Sequence, residues 1–217
     1  MIVWLNGTFG AGKTTTAGEI VKIIPDARIF DSEHVGFLLR YVEGLPKVKN
    51  FQEWPPWRAL VVQTAVQLLD YVGGVLVIPQ TVLTEEYWTE IRTGLEKEDI
   101  PLLHVVLHTD EDELTRRIET DTVETGARQW RLDHLAAYRD ALPWLTREAE
   151  VVDTTGIPPM QVAQTIAAQL PAAQLATGLT LATQTLAGRP PAGQLPAAQP
   201  PAAQPLAGRP PAGGSGG

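Results

Sequence analysis

The chain has 217 residues, 19% of them charged, a formal net charge of −8 and no cysteine. The missing cysteines exclude disulfides and thiolate metal sites, and the acidic balance argues against a general nucleic-acid binder, which relies on Lys and Arg patches. No run reaches the roughly 18 uninterrupted apolar residues of a membrane span; the apolar start at residues 1–5 has no basic region before it, so no signal peptide is expected and the expected location is the cytoplasm.

Composition changes at Pro171. Residues 1–170 have the mixed composition of one folded domain. Residues 171–217 are built from Pro, Ala, Gln, Gly, Leu and Thr, with Arg189 and Arg209 as the only charges. Gly-Arg-Pro-Pro-Ala-Gly occurs at Gly188 and again at Gly208, and Pro-Ala-Ala-Gln starts at Pro171, Pro196 and Pro201. The copies are unevenly spaced and carry no periodic apolar face. Such a segment buries too little apolar surface to offset its ordering entropy, which predicts a low-complexity, disordered tail of polyproline character.

In chain order, residues 2–5 read as a buried strand, followed by Gly7-Thr8-Phe9-Gly10-Ala11-Gly12-Lys13-Thr14-Thr15 and a helix over 14–24. A short strand over 27–30 ends at Asp31. A helix over 32–42 carries Val35, Leu38, Leu39 and Val42 at helical spacing. A loop over 43–56 precedes a helix over 57–71, and residues 75–78 form a third strand. A helix over 85–97, a strand over 102–107 and a helix over 111–119 follow. Residues 121–128 are polar and read as mobile. A helix over 131–142 is expected to stop near Pro143, before a fifth strand at 151–152 and a last helix from Pro158 to about 170. Strands alternating with helices predict an α/β domain with a five-stranded parallel sheet covered on both faces, and ligands at the carboxyl ends of its strands.

The glycine-rich run is the P-loop pattern: glycine, four residues, then Gly-Lys-Thr. Its glycines let successive N–H groups point at phosphate oxygens. Lys13 supplies a mobile positive charge for the outer phosphates, and the Thr14 hydroxyl suits Mg²⁺. Residues Gly7 to Thr15 are therefore the candidate nucleotide-binding set, with ATP and Mg²⁺ as the expected cosubstrate and metal. Asp31, at the end of the second strand, could take a proton from an attacking hydroxyl, help hold Mg²⁺ through water, or cap the next helix. In the strand order of small P-loop kinases it is expected beside the P-loop strand.

The usual apolar strand ending in an Asp that would hold Mg²⁺ is not evident. The third strand runs into Pro79-Gln80-Thr81, where Gln80 and Thr81 either bond a substrate or cap a turn. Arg117, Arg128 and Arg131 are candidates for the transition-state charge of phosphoryl transfer, with paired surface helices as the alternative for each. Trp54, Trp57 and Arg58 could wall a flat, ring-bearing substrate or could anchor the core. The histidines, His34, His104, His108 and His134, read as structural rather than as metal ligands.

Residues 2–16, then Phe30-Asp31-Ser32-Glu33-His34-Val35-Gly36-Phe37-Leu38-Leu39-Arg40, Phe51-Gln52-Glu53-Trp54-Pro55-Pro56-Trp57-Arg58, Val77-Ile78-Pro79-Gln80-Thr81 and Arg128-Gln129-Trp130-Arg131 together resemble the tunicamycin-resistance family of small P-loop proteins. The similarity spans about residues 1–170. More distantly the layout is similar to chloramphenicol phosphotransferase, zeta toxins and nucleoside-monophosphate kinases. The resemblance implies a three-layer P-loop NTPase fold and an ATP-binding protein that protects against a nucleoside antibiotic. Either it phosphorylates an alcohol group of the antibiotic or another nucleoside-like molecule, with Asp31 serving the acceptor hydroxyl, or it sequesters the antibiotic without chemistry.

Overall fold

The computed structural model describes residues 1–122 and 128–171. The expected tail from residue 172 onward, and most of the expected mobile stretch at 121–128, lie outside them. Five strands, β1 (Ile2–Asn6), β2 (Ala27–Ile29), β3 (Val75–Pro79), β4 (Leu102–His108) and β5 (Glu150–Asp153), alternate with seven helices among the described residues. The helices are α1 (Lys13–Ile23), α2 (Glu33–Arg40), α3 (Pro55–Val72), α4 (Glu85–Lys97), α5 (Glu111–Thr120), α6 (Arg128–Glu148) and α7 (Pro159–Ala167). All strand pairs are parallel, in the order β2-β3-β1-β4-β5. The five-stranded parallel sheet read from the sequence is present.

Central strands read as unbroken apolar runs because both their faces are covered. Every residue of β1 is buried, and so are the first four of β3. Helices α1 and α7 pack on each other, as do α3 and α4, and the burial of both alternate side-chain sets of β1 places helices on both faces of the sheet. Trp4 of β1 meets Trp88 of α4 edge to face at 5.2 Å, and Trp88 in turn lies 3.8 Å from the ring of His104. Trp4 and His104 are register partners on adjacent strands, so one helix residue ties two strands together.

Three expectations need correction. Asp31 does not follow a strand next to β1: β3 lies between β1 and β2, and β2 is an edge. Pro143 does not end a helix, since α6 runs from Arg128 to Glu148 through it. Proline costs the interior of a helix a hydrogen bond and a steric clash, but here burial of Trp144 and Leu145 in the core holds the last turns in place. Finally, α3 begins at Pro55 instead of residue 57, because Pro55 and Pro56 fill its first positions, where the missing N–H groups have no helical partner.

Candidate functional site

With all strands parallel, their carboxyl ends share one edge of the sheet, and the loops there carry Gly7, Asp31, Gln80, Thr109 and Thr154. The loop after β1 is held at its start by Asn6, which is fully buried. Its Oδ1 accepts from the Gly7 N–H at 2.8 Å and the Val82 N–H at 2.9 Å, and its Nδ2 donates to the Val82 carbonyl at 2.9 Å. Nδ2 also lies 3.3 Å from His104 Nε2, while His104 Nδ1 lies 3.1 Å from the Glu148 carbonyl. A carbonyl only accepts, so Nδ1 carries the proton and Nε2 receives the Asn6 amide. Burial pushes this imidazole down to about 4, keeping it neutral in its acceptor role at pH 7. Asn6 and His104 are 98 positions apart in sequence, and neither was singled out there as part of the loop's support.

The loop then turns through glycines that no other residue could replace without strain. At Gly7, φ is +130° and a Cβ would lie 2.6 Å from the Leu107 carbonyl oxygen of β4. Gly12, at φ +90°, turns the chain into α1. Lys13, the first residue of α1, curls back so that Nζ donates to the Gly7 carbonyl at 3.1 Å and the Thr8 carbonyl at 2.8 Å. Thr81 Oγ1 donates to the same Gly7 carbonyl at 2.8 Å, which brings it into the loop's immediate surroundings. Thr8 Oγ1 is buried with no hydrogen-bond partner among the described residues. Thr14 and Thr15 are exposed on the first turn of α1.

Burial pushes the Lys13 ammonium down to about 8; the positive charge of Arg131 acts in the same direction and the carboxylate of Glu33 opposes it. Glu33 is thus part of the electrostatic surroundings of Lys13, which the sequence reading missed; the signal available was its place two residues after Asp31, in the first turn of a helix. A polyanion bound at Lys13 would hold the ammonium charged. Near pH 8, ATP binding is therefore expected to take up a fraction of a proton, and ATP affinity is expected to fall as pH rises above 8. Calorimetry at pH 8 in buffers of different ionisation enthalpy checks this: apparent enthalpies independent of the buffer would contradict it.

On the other flank of the loop, Arg117 of α5 donates to the Gly10 carbonyl at 3.3 Å, the Thr154 carbonyl at 2.8 Å and Glu113 at 2.8 Å. Hydrogen bonds from Arg116 and then Arg117 hold Glu113 down at about 2. A cavity of about 380 Å³ opens here, lined by Gly12, Thr15, Arg116, Arg117, Ile157 and Pro159 among others. It adjoins the phosphate loop and combines guanidinium groups with apolar walls. Arg131 bonds Asp121 at 2.6 Å, and Arg128 is exposed at the start of α6.

Asp31 is exposed and its Oδ1 accepts from the Glu33 N–H at 2.9 Å, which caps α2; Oδ2 lies 3.9 Å from His34 Nδ1. Gln80 is buried, and its Oε1 accepts from Ser32 Oγ at 2.7 Å, joining the ends of β2 and β3. Trp54 and Trp57 are packed into the core, while Arg58 borders a cavity between α3 and α4 with Pro55, Val62 and Glu90. Both tryptophans are buried, Trp57 completely, and their indole N–H groups donate to the Pro46 and Ser32 carbonyls at 2.8 and 3.1 Å. Arg58 is buried as well, bonded to Glu90 through Nε at 2.6 Å and to the Gln52 carbonyl, and stacked over Tyr87. Packing beside α2 and the 51–53 turn occupies both tryptophans. The aromatic residue left half-exposed beside the loop is Trp130 of α6, packed on Phe9. Among the described residues no three or more His, Asp or Glu side chains gather as a metal site, and no helix is long and apolar enough to cross a membrane.

The sheet order, the glycine loop between β1 and α1, and the lysine at its end define the fold of the P-loop kinases. The structure is similar to the tunicamycin resistance protein of Deinococcus radiodurans, with 26% identity over 77% of this chain and 94% of that one and a TM-score of 0.58. The resemblance read from the sequence therefore extends to the three-dimensional structure. The fold is also shared with a sugar kinase of Janibacter sp. HTCC2649 at 16% identity, covering 76% and 91% of the two chains with a TM-score of 0.54. An APS kinase of Mycobacterium tuberculosis, solved with AMPPNP and APS, matches at 17% identity over 76% and 94%, with a TM-score of 0.52. No protein-family model and no curated protein matches the sequence.

Proposed function

We propose that the protein is an ATP-dependent phosphotransferase whose acceptor is an alcohol group of a small, nucleoside-like molecule, with an antibiotic of the tunicamycin type as the first candidate. The observation that carries this reading is the Lys13 ammonium, held over the Gly7 and Thr8 carbonyls inside a loop of positive-φ glycines. Such a loop suits a polyphosphate and little else, because its N–H groups and one cation converge on a small volume. The cavity beside Arg116, Arg117 and Ile157 adjoins the loop where the nucleoside of ATP would extend from it. The similarity to a tunicamycin resistance protein supports the choice of acceptor. An ATP-dependent reaction on such a molecule fits a cytoplasmic protein.

The residues present fit a magnesium ion: the Thr14 hydroxyl is exposed on the first turn of α1, next to Lys13. Bound there, the ion would neutralise charge on the outer phosphates. The chain's own contribution is positioning and proton transfer. Lys13 orients the terminal phosphate. Asp31 accepts the acceptor's hydroxyl proton as its oxygen bonds to the γ-phosphorus, and the bond from that phosphorus to the bridging oxygen of ADP breaks. Arg131 and Arg128, at the start of α6, supply positive charge to the transferring group. Thr81, bonded to the Gly7 carbonyl, faces the acceptor side.

Asp31→Asn tests the assignment. An asparagine Oδ1 can still accept from the Glu33 N–H, so α2 stays capped while the proton acceptor is lost. Transfer of label from γ-labelled ATP is expected to fall on the order of 10²–10⁴-fold with ATP binding retained. Transfer at the wild-type rate would remove Asp31 from the mechanism. One observation favours sequestration as the second reading: β3 ends at Pro79 and is followed by Gln80, with no carboxylate at the end of this neighbour of the P-loop strand. Mass spectrometry of the antibiotic after incubation with protein, ATP and Mg²⁺ separates the two, since only transfer adds a phosphate group.

A further inference from the structure

The start of α6 is poorly anchored by burial. None of residues 128–134 is buried, and the first fully packed side chain of the helix is Leu135. Yet this stretch carries Arg128 and Arg131, and the charge of Arg131 is felt by Lys13. A ring stack spans the distance. Trp130 meets Phe9 of the P-loop edge to face at 4.6 Å, His134 meets Phe9 at 5.6 Å, and Trp130 and His134 lie 4.0 Å apart one helical turn from each other. His134 Nδ1 also lies 2.6 Å from the Trp130 carbonyl, which fixes the imidazole along the helix. The Phe9 ring also lies beneath the Lys13 ammonium, 5.6 Å from Nζ to the ring centre. One P-loop ring therefore touches both the phosphate-binding cation and the helix that bears the arginines.

Phe9 stands at a position where the phosphate loop needs only its backbone. Trp130 keeps 49% of its surface in water although it is the largest side-chain type, so the core gains little from it. Neither residue has a role in the phosphate chemistry itself. Resting on the function proposed above, we infer that Trp130 is a positioning residue: stacked on Phe9, it fixes the first two turns of α6 over the P-loop, so that Arg128 and Arg131 reach the transferring phosphate when nucleotide engages Lys13.

The test compares Trp130→Ala with Trp130→Phe in the full chain. The alanine variant is expected to bind ATP with near wild-type affinity by calorimetry, because Lys13 and the loop glycines are untouched. Its kcat is expected to fall about tenfold at unchanged acceptor KM, and phenylalanine, which restores an edge-to-face ring, is expected to recover most of the loss. Hydrogen exchange supplies a readout that needs no turnover. Amides of residues 128–134 are expected to gain protection when ATP is added to the wild type and to Trp130→Phe, and not when it is added to Trp130→Ala. Equal ATP-dependent protection in all three proteins, or a phenylalanine variant as impaired as the alanine one, overturns the inference while leaving the nucleotide site standing. No heat of ATP association in the wild type overturns the proposed function and this inference together.

Discussion

Lys13→Ala is expected to abolish measurable phosphoryl transfer, lowering kcat by at least 10²–10³-fold, about 3–4 kcal/mol of transition-state stabilisation. On the proposed function the effect should be large because the ammonium would lie where charge builds up and because burial has already stripped it of much of its water, so a phosphate would not need to do so. The same burial sets the sign for stability. The folded-state pKa, about 8, lies below the ordinary lysine value of 10.5, so between those limits the unfolded chain binds more protons and stability rises with pH. At pH 7 the buried charge weighs against folding, and its removal should leave the thermal midpoint unchanged or raised. Loss of activity with an intact or higher midpoint, read by calorimetric melting beside single-turnover kinetics, marks a functional cation. A variant that melts early and still transfers phosphate would mean that the loop carbonyls, and not phosphate, are what the ammonium serves.

Trp57→Ala is expected to destabilise the domain by about 3–5 kcal/mol, the range for deleting a fully buried large aromatic. Trp57 has no exposed surface, packs 5.1 Å from the ring of Phe51 and donates its indole N–H to the Ser32 carbonyl next to Asp31. Its removal opens a large void and takes away one of the two donors to that carbonyl, leaving the Val35 N–H at 3.2 Å. Chemical denaturation reads the loss directly. Were Trp57 a wall of the acceptor pocket, the variant would keep its denaturation midpoint and raise only the acceptor KM, and that pattern would overturn the packing assignment.

The two Trp57 readings show where sequence reasoning stops. A tryptophan beside two prolines and an arginine is compatible with a ligand wall and with an anchor, and only the packing of α2, α3 and the 51–53 turn decides between them. What was legible were features carried by consecutive residues: the apolar runs of β1, β3 and β4, the glycine loop and the lysine that follows it. The order of strands was not, because the residues of β2 do not record which strand they pair with; the expectation that Asp31 lay next to the P-loop strand failed for this reason. The joint role of Asn6, His104 and Val82 was not legible for the same cause, since they come together from the end of β1, the inside of β4 and the loop after β3. Pro143 misled because local propensity favours a stop there, whereas the burial of Trp144 and Leu145 outweighs it. In the sequence Trp130 stands out only as part of a family pattern; its contact with Phe9 joins residues 121 positions apart.

The two halves of the cleft hang from strands of unequal security. The nucleotide side grows out of β1, flanked on both sides and pinned by Asn6. Asp31 follows β2, three residues long, bonded to a neighbour along one border only. If the cleft works as proposed, mild perturbation should therefore loosen contacts around Asp31 well before those of the glycine loop. On the proposed function, the same asymmetry would let the choice of acceptor drift through changes around the outer strand while the loop after β1 stays intact.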